Sequence, residues 1–194
     1  NSRPIVTIHN GVDLTKFRPL YKTYNSMSSK FKILGVAAIW DARKGLADFV
    51  ELRSKLSEDY EITLVGLTSK QISSLPKGIK GIQRTQNVEE LVQLYSDADV
   101  FLNPTYSDNF PTTNIEALAC GTPVITYRTG GSPEAVDKKT GIVVEQGDVN
   151  GLVEAIYRMK EYHLSSDDCR KRAEECFDKD KCFEKYVELY EKLI

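Results

Sequence analysis

The sequence predicts an α/β domain, a parallel sheet of about six strands flanked by helices and followed by a helical C-terminal tail. Three observations predict it. Short apolar runs rich in branched residues recur between Ile33 and Val144, helix-spaced apolar patterns separate them, and after Gly147 the pattern is helical throughout. Alternation of strand and helix at short range is the signature of a βαβ series around a parallel sheet.

In chain order, Ile5–His9 reads as a short strand ended by the Asn10-Gly11 turn. Lys22–Lys30 is polar and serine-rich, the composition of a connector. Buried strands are expected at Ile33–Ala38, Ile62–Val65, Ile79–Arg84, Val100–Asn103, Val124–Tyr127 and Ile142–Val144. Gly45–Leu56 sets Leu46, Phe49, Val50 and Leu52 at helical spacing, and Asn87 before Glu89 and Glu90 marks a helix start with Val88, Leu91, Val92 and Tyr95 as its apolar stripe. Three amphipathic helices complete the chain at Val149–Glu161, Ser165–Phe177 and Lys181–Ile194.

Composition narrows the function. The chain has 194 residues, 41% apolar and 28% charged, enough for one α/β domain with a full core. A net charge of −2 gives no electrostatic footprint for nucleic acid. No apolar run approaches the roughly 18–20 residues of a membrane span, and the opening Asn-Ser-Arg-Pro has no signal-peptide pattern. Cys120, Cys169, Cys176 and Cys182 lack metal or redox spacing; the last three are expected to pack as small apolar residues, with reduced thiols and a cytoplasmic setting. His9 and His163 are too few and too far apart to suggest a metal site.

In an open parallel sheet, ligands bind outside the carboxyl ends of the strands. Arg43, Lys44 and Gly45 follow the first of the six sheet strands, Gly66 the second, Asn103–Phe110 the fourth, and Thr129-Gly130-Gly131 the fifth, so one sheet edge is the candidate site. Arg43-Lys44 before a helix suits a phosphate, although the same pair also reads as a solvated charge cluster at a helix start. Gly130-Gly131 before Ser132-Pro133-Glu134 lets a backbone approach an anion, or is a plain turn with Pro133 at the first helical position.

The segment from Ser107 to Ile125 is the most informative. Pro111 suits a first helical turn, Ile115, Leu118 and Ala119 make an apolar stripe, and Gly121 ends the helix. Seven residues separate the carboxylates of Asp108 and Glu116. Glu116 has two readings: the far end of a Thr113–Glu116 capping box, or, if the helix starts at Pro111, a carboxylate free for a ligand hydroxyl. Asp97-Ala98-Asp99 imitates an Asp-x-Asp metal motif, but two carboxylates alone make a poor magnesium cage and polar residues belong in such a turn. No metal is expected.

At these residues the chain resembles the C-terminal, Rossmann-like three-layer domain of the family 4 retaining glycosyltransferases, which have GT-B architecture. Asn10-Gly11-Val12-Asp13 with Phe17, Arg43-Lys44-Gly45, Val65-Gly66, Ala98–Phe101 with Pro104, Glu116–Val124 and Gly130–Glu134 resemble its motifs in order and spacing. The resemblance implies residues 1–30 as interdomain strand and connector, residues 31–194 as the nucleotide-sugar-binding domain, and a preceding acceptor domain outside this chain. It implies that Glu116 holds the ribose hydroxyls, Asp108 faces the donor sugar as the catalytic carboxylate, and Lys44, with Arg43, contacts the diphosphate. The backbone of Asn109, Phe110, Pro111 and Thr112 lines sugar and phosphate, Gly66 belongs to the donor site, and the loop from Thr85 to Val88 receives the base. The first carboxylate of the motif is Asp108 instead of Glu, Asn109-Phe110-Pro111 replaces Gly-Phe-Gly, and Ala38, Ile39 and Trp40 stand where the family has an arginine.

The implied function is retaining transfer of a sugar from a UDP- or GDP-linked donor, with no metal cofactor, to a saccharide or lipid-linked acceptor held by the other domain, in bacterial surface-polysaccharide assembly. It leaves room for peripheral attachment at the inner face of the membrane. Two other readings stay open: a non-catalytic nucleotide-sugar-binding or degenerate partner subunit, and a UDP-sugar epimerase.

Overall fold

A computed structural model describes residues 5–22 and 30–193. Six strands form one sheet: β1 (Phe31–Val36), β2 (Tyr60–Val65), β3 (Ile79–Ile82), β4 (Val100–Asn103), β5 (Val124–Tyr127) and β6 (Gly141–Val144). Their order is β3-β2-β1-β4-β5-β6, and every neighbouring pair is parallel. All four residues of β4 and all four of β5 are buried, as strands covered on both faces require. The expected limits of these two strands match the observed ones.

The helices are α1 (Leu46–Lys55), α2 (Ser69–Ser73), α3 (Val88–Asp97), α4 (Thr112–Ala119), α5 (Val149–Tyr162), α6 (Ser166–Cys176) and α7 (Lys179–Glu191). Consecutive strand residues point to opposite faces and so feed two cores. On one face Ile33, Leu102 and Ile125 pack with Phe49 and Leu52 of α1 and with Leu152 and Ile156 of α5. On the other, Leu34, Phe101 and Val124 meet Tyr95 of α3, Ile115 and Leu118 of α4, and Cys169 of α6. The three layers follow directly from that alternation.

Some expectations are corrected. Residues 5–10 form no strand: Ile5 and Val6 are 95% and 57% exposed, so the apolar run there meets no sheet. The segment after it is held instead by Val12, whose amide donates to the Phe177 carbonyl at 2.7 Å and whose carbonyl accepts from the Lys179 amide at 3.2 Å. The last helix starts at Lys179, two residues before the expected Lys181, because the Asp178 side chain accepts from the Asp180 amide and caps it; Ile194 lies outside the described residues. β1 ends at Val36, leaving Ala37 and Ala38 in the following loop, and β3 stops at Ile82. Helix α2 was not expected; its capping box joins Thr68 and Gln71. Most of the Lys22–Lys30 stretch falls outside the described residues.

The four cysteines are free thiols, with Cys120, Cys169 and Cys182 buried and Cys176 half-buried. Among the described residues, no helix is long and apolar enough to cross a membrane.

Candidate functional site

The strand order reverses between β1 and β4, and a crevice opens outside the carboxyl ends of strands at such a point. The loops after β1 and β4 form its walls. In the first, Asp41 caps a 3₁₀ turn at Ala42–Lys44 by accepting from the Arg43 amide at 2.9 Å. The Arg43 guanidinium folds back on the same carboxylate, Nη2 to Oδ2 at 2.7 Å, which holds Asp41 below the usual carboxylate range. Lys44 points the other way. Its Nζ lies 2.6 Å from Asp108 Oδ2, with the two side chains 28% and 19% exposed. Two residues expected at the site are thus brought into direct contact across it.

Backbone contacts hold the two loops together. Gly45 has a φ of 70°, and a Cβ there would lie 2.3 Å from the Pro104 carbonyl oxygen, so only glycine lets the loops approach. The Tyr106 amide donates to the Arg43 carbonyl at 2.7 Å. From the far side, Gly130 (φ 49°) would place a Cβ 1.9 Å from the Asp108 carbonyl oxygen, and the Gly131 amide donates to the Asn109 carbonyl at 2.8 Å. The glycine pair is therefore a support for the Asp108 loop. The Phe110 ring packs at a tilt on His9 and Phe177, with centroids 4.7 and 5.7 Å away. Asn109 beside it is exposed.

Helix α4 begins at Thr112, with buried Pro111 before it in the N-cap position. It carries no side-chain cap and no acidic residue in its first turn, so its positive end faces the crevice without a neutralising group of its own. Glu116 is the fifth residue of the helix, which removes the capping-box reading. Its Oε2 accepts from the Tyr95 hydroxyl at 3.0 Å. Burial raises the Glu116 pKa above its ordinary value, while the Tyr95 and Thr112 hydroxyls pull it down. The same burial, with the Glu116 charge, drives the Tyr95 phenol well up.

Gly66 (φ 99°) packs directly under the Ala37 carbonyl, where a Cβ would lie 1.7 Å from the oxygen. Val88 is the first residue of α3 and 41% exposed, behind the Asn87 cap that accepts from the Glu90 amide. Asp99 lies in the turn before β4, at the opposite end of that strand from the crevice. Its oxygens accept from the Lys32 amide and the Lys22 ammonium, both at 2.8 Å.

Sequence reasoning missed Asp48, Tyr95, Tyr106 and Tyr127. Asp48 is buried in the first turn of α1 and accepts from the Tyr106 and Tyr127 hydroxyls at 2.9 and 2.6 Å. Asp48, Tyr106 and Tyr127 are spread over three elements, so no local spacing announced them. Chemically, an ammonium and an uncapped helix end favour a diphosphate, and the half-buried Glu116 carboxylate favours a pair of hydroxyls.

A sequence model described as glycosyl transferases group 1 matches residues 30–161. The chain is 30% identical, over 95% of its length, to an MMP alpha-(1->4)-mannosyltransferase of Mycolicibacterium hassiacum, and it spans 47% of that protein. Among solved structures it superposes on sucrose-phosphate synthase of Thermosynechococcus elongatus with a TM-score of 0.83 and 25% identity, covering 96% of this chain and 52% of the other. A glycosyltransferase of Rickettsia africae shares the fold at a TM-score of 0.83 and 22% identity, covering 96% of this chain and 56% of that one. Anabaena HepE in complex with UDP does so at a TM-score of 0.80 and 18% identity, covering 95% of this chain and 57% of that one. The chain therefore spans about half the length of these relatives.

Proposed function

Since the chain belongs to the glycosyl transferases group 1 family, we propose that it is the donor-binding domain of a glycosyltransferase, holding a nucleotide diphosphate sugar at the crevice between β1 and β4. The observation that carries this reading is the pairing of Lys44 with Asp108 across that crevice, beside the uncapped start of α4 and the Tyr95-held carboxylate of Glu116. HepE, with the same fold, has been solved with UDP and with UDP-glucose, which supports a nucleotide sugar as ligand.

In this reading the diphosphate lies between Lys44 and the N-terminal amides of α4, Glu116 accepts from the ribose hydroxyls, and Asp108 faces the sugar. The base is received beside Val88. Charge grows on the leaving diphosphate as the glycosidic bond breaks. A fixed ammonium and fixed amides stabilise it without reorganising, and without a metal; one such donor is worth about 3 kcal/mol of barrier. Arg43 is engaged by Asp41 and would have to leave it to join Lys44. Transfer with retention, a saccharide or lipid-linked acceptor held outside this domain, a role in surface-polysaccharide assembly and a cytoplasmic site of action, with peripheral contact at the inner membrane face, complete the proposal.

A second reading, a nucleotide-sugar-binding subunit without catalysis, is favoured by one feature: the Phe110 ring is engaged by His9 and Phe177, and Pro111 after it has no amide to offer a ligand. The full-length protein separates the two. Donor hydrolysis or transfer that disappears in Asp108→Ala supports the transferase. Nucleotide-sugar binding with no turnover of any donor supports the binding subunit, and isomerisation of a UDP-sugar without acceptor would point to an epimerase.

A further inference from the structure

Asp48 and Tyr106 lie beside the proposed site without belonging to it, and together they link the two loops that carry Lys44 and Asp108. Asp48 is a buried carboxylate, 6% exposed, in the first turn of α1, just after the turn that bears Lys44. The Tyr106 hydroxyl reaches both of its oxygens, at 3.1 and 2.9 Å. Tyr106 is two residues before Asp108, its amide donates to the Arg43 carbonyl at 2.7 Å, and its carbonyl accepts from Gln146 Nε2 at 2.8 Å. Burial and the Asp48 carboxylate raise the Tyr106 phenol pKa, so the hydroxyl keeps its proton and stays a donor.

A buried charge is retained at a cost unless it is fully hydrogen-bonded, and a hydrophobic residue would fill this position in α1 more cheaply if packing were its only purpose. The carboxylate instead accepts from two tyrosine hydroxyls, that of buried Tyr127 at 2.6 Å and that of Tyr106, whose backbone is also bonded to the loop that carries Lys44. We propose that Asp48 and Tyr106 form a strut that positions Lys44 against the donor diphosphate, making both of them positioning residues for phosphate recognition. This inference rests on the donor-binding reading above.

The strut acts through Lys44, so its loss is felt by ligands that carry phosphate and not by those that lack it. The test is calorimetric titration of the protein with UDP and uridine, or GDP and guanosine, whichever pair binds. Tyr106→Phe keeps the ring and removes the hydroxyl. It is expected to weaken the diphosphate about tenfold, to leave nucleoside affinity unchanged, and to have no further effect in a Lys44→Ala background. Asp48→Asn, which keeps the volume and one acceptor, gives a smaller loss of the same selectivity and serves if Tyr106→Phe does not fold. Diphosphate affinity equal to the wild type in both variants overturns the strut while leaving the donor-binding reading intact. So does an equal loss for diphosphate and nucleoside, which marks general loosening. A wild-type protein that binds neither UDP nor GDP overturns the donor-binding reading, and the strut with it.

Discussion

Lys44 Nζ and Asp108 Oδ2 stand 2.6 Å apart, tying the loop after β1 to the loop after β4 where the strand order reverses. Without a ligand, each neutralises the other in a partly buried setting. In the proposed reading an incoming diphosphate would compete with Asp108 for the ammonium, and the released carboxylate would then be free to face the sugar.

Removing that competitor separates binding from chemistry. Asp108→Asn keeps the shape of the side chain but no longer holds the ammonium by charge. UDP or GDP affinity is expected to stay the same or rise, by up to about tenfold for one charge-assisted hydrogen bond. The transfer rate of the full-length protein is expected to fall by about a hundredfold or more, the scale for loss of one electrostatic catalytic group. Calorimetry beside steady-state kinetics reads both; a variant with normal kcat removes Asp108 from the chemistry.

Glu116 is expected to be a site residue kept at a cost in stability. Its folded pKa is raised above the ordinary 4.5, burial being the largest cause, so its contribution to stability is fully present at low pH and is lost as pH rises through the raised value. Glu116→Gln does not ionise and should still accept from Tyr95. Its Tm relative to the wild type should therefore climb between about pH 4 and neutrality while nucleotide affinity falls. Melting curves over that range check the sign. A wild-type advantage that grows with pH contradicts it.

Gly130 supports the Asp108 loop from behind. Gly130→Ala adds a methyl group at a φ of 49° and 1.9 Å from the Asp108 carbonyl oxygen. The left-handed backbone alone costs about 1–2 kcal/mol, and the clash moves the loop as well. Expected are a lower Tm and a loss of transfer larger than the stability loss explains. Unchanged kcat with a lowered Tm would show that the loop tolerates the shift.

Burial pushes the Cys120 and Cys169 thiols up to about 12, so both stay protonated at pH 8 and out of reach of solvent. Ellman's reagent should leave these two unmodified in the folded protein and reach all four on denaturation. Rapid labelling of Cys120 or Cys169 before unfolding contradicts their packing.

Much of the fold was legible in the sequence because a parallel sheet covered on both faces leaves uninterrupted apolar runs. β4 and β5 are such runs, and their limits were readable to the residue. Ile5–His9 misled because an apolar run cannot reveal whether a partner strand exists. The three-residue step from Thr68 to Gln71 was present in the sequence, but a five-residue helix offers no apolar stripe to draw attention to it. At the site, Lys44, Asp108 and Glu116 were legible as residues after strands or in a spaced pair. Their partners were not: Asp48 with Tyr106, Asp48 with Tyr127, and Tyr95 with Glu116 meet only through tertiary packing. Gly130-Gly131 was open to two readings, and the structure has the turn, leading into a short 3₁₀ helix at Ser132–Ala135 with Pro133 in its first turn and the Gly131 amide bonded to the Asn109 carbonyl.

Binding of a nucleoside diphosphate at the β1–β4 crevice is the central claim, and calorimetric titration with UDP and GDP tests it most directly on wild type, Lys44→Ala and Glu116→Ala. The expected result is binding of at least one nucleotide by the wild type, weakened about tenfold or more in each variant, the scale of one charge-assisted contact. Undiminished affinity in both variants, or no binding of either nucleotide by the wild type, would contradict it.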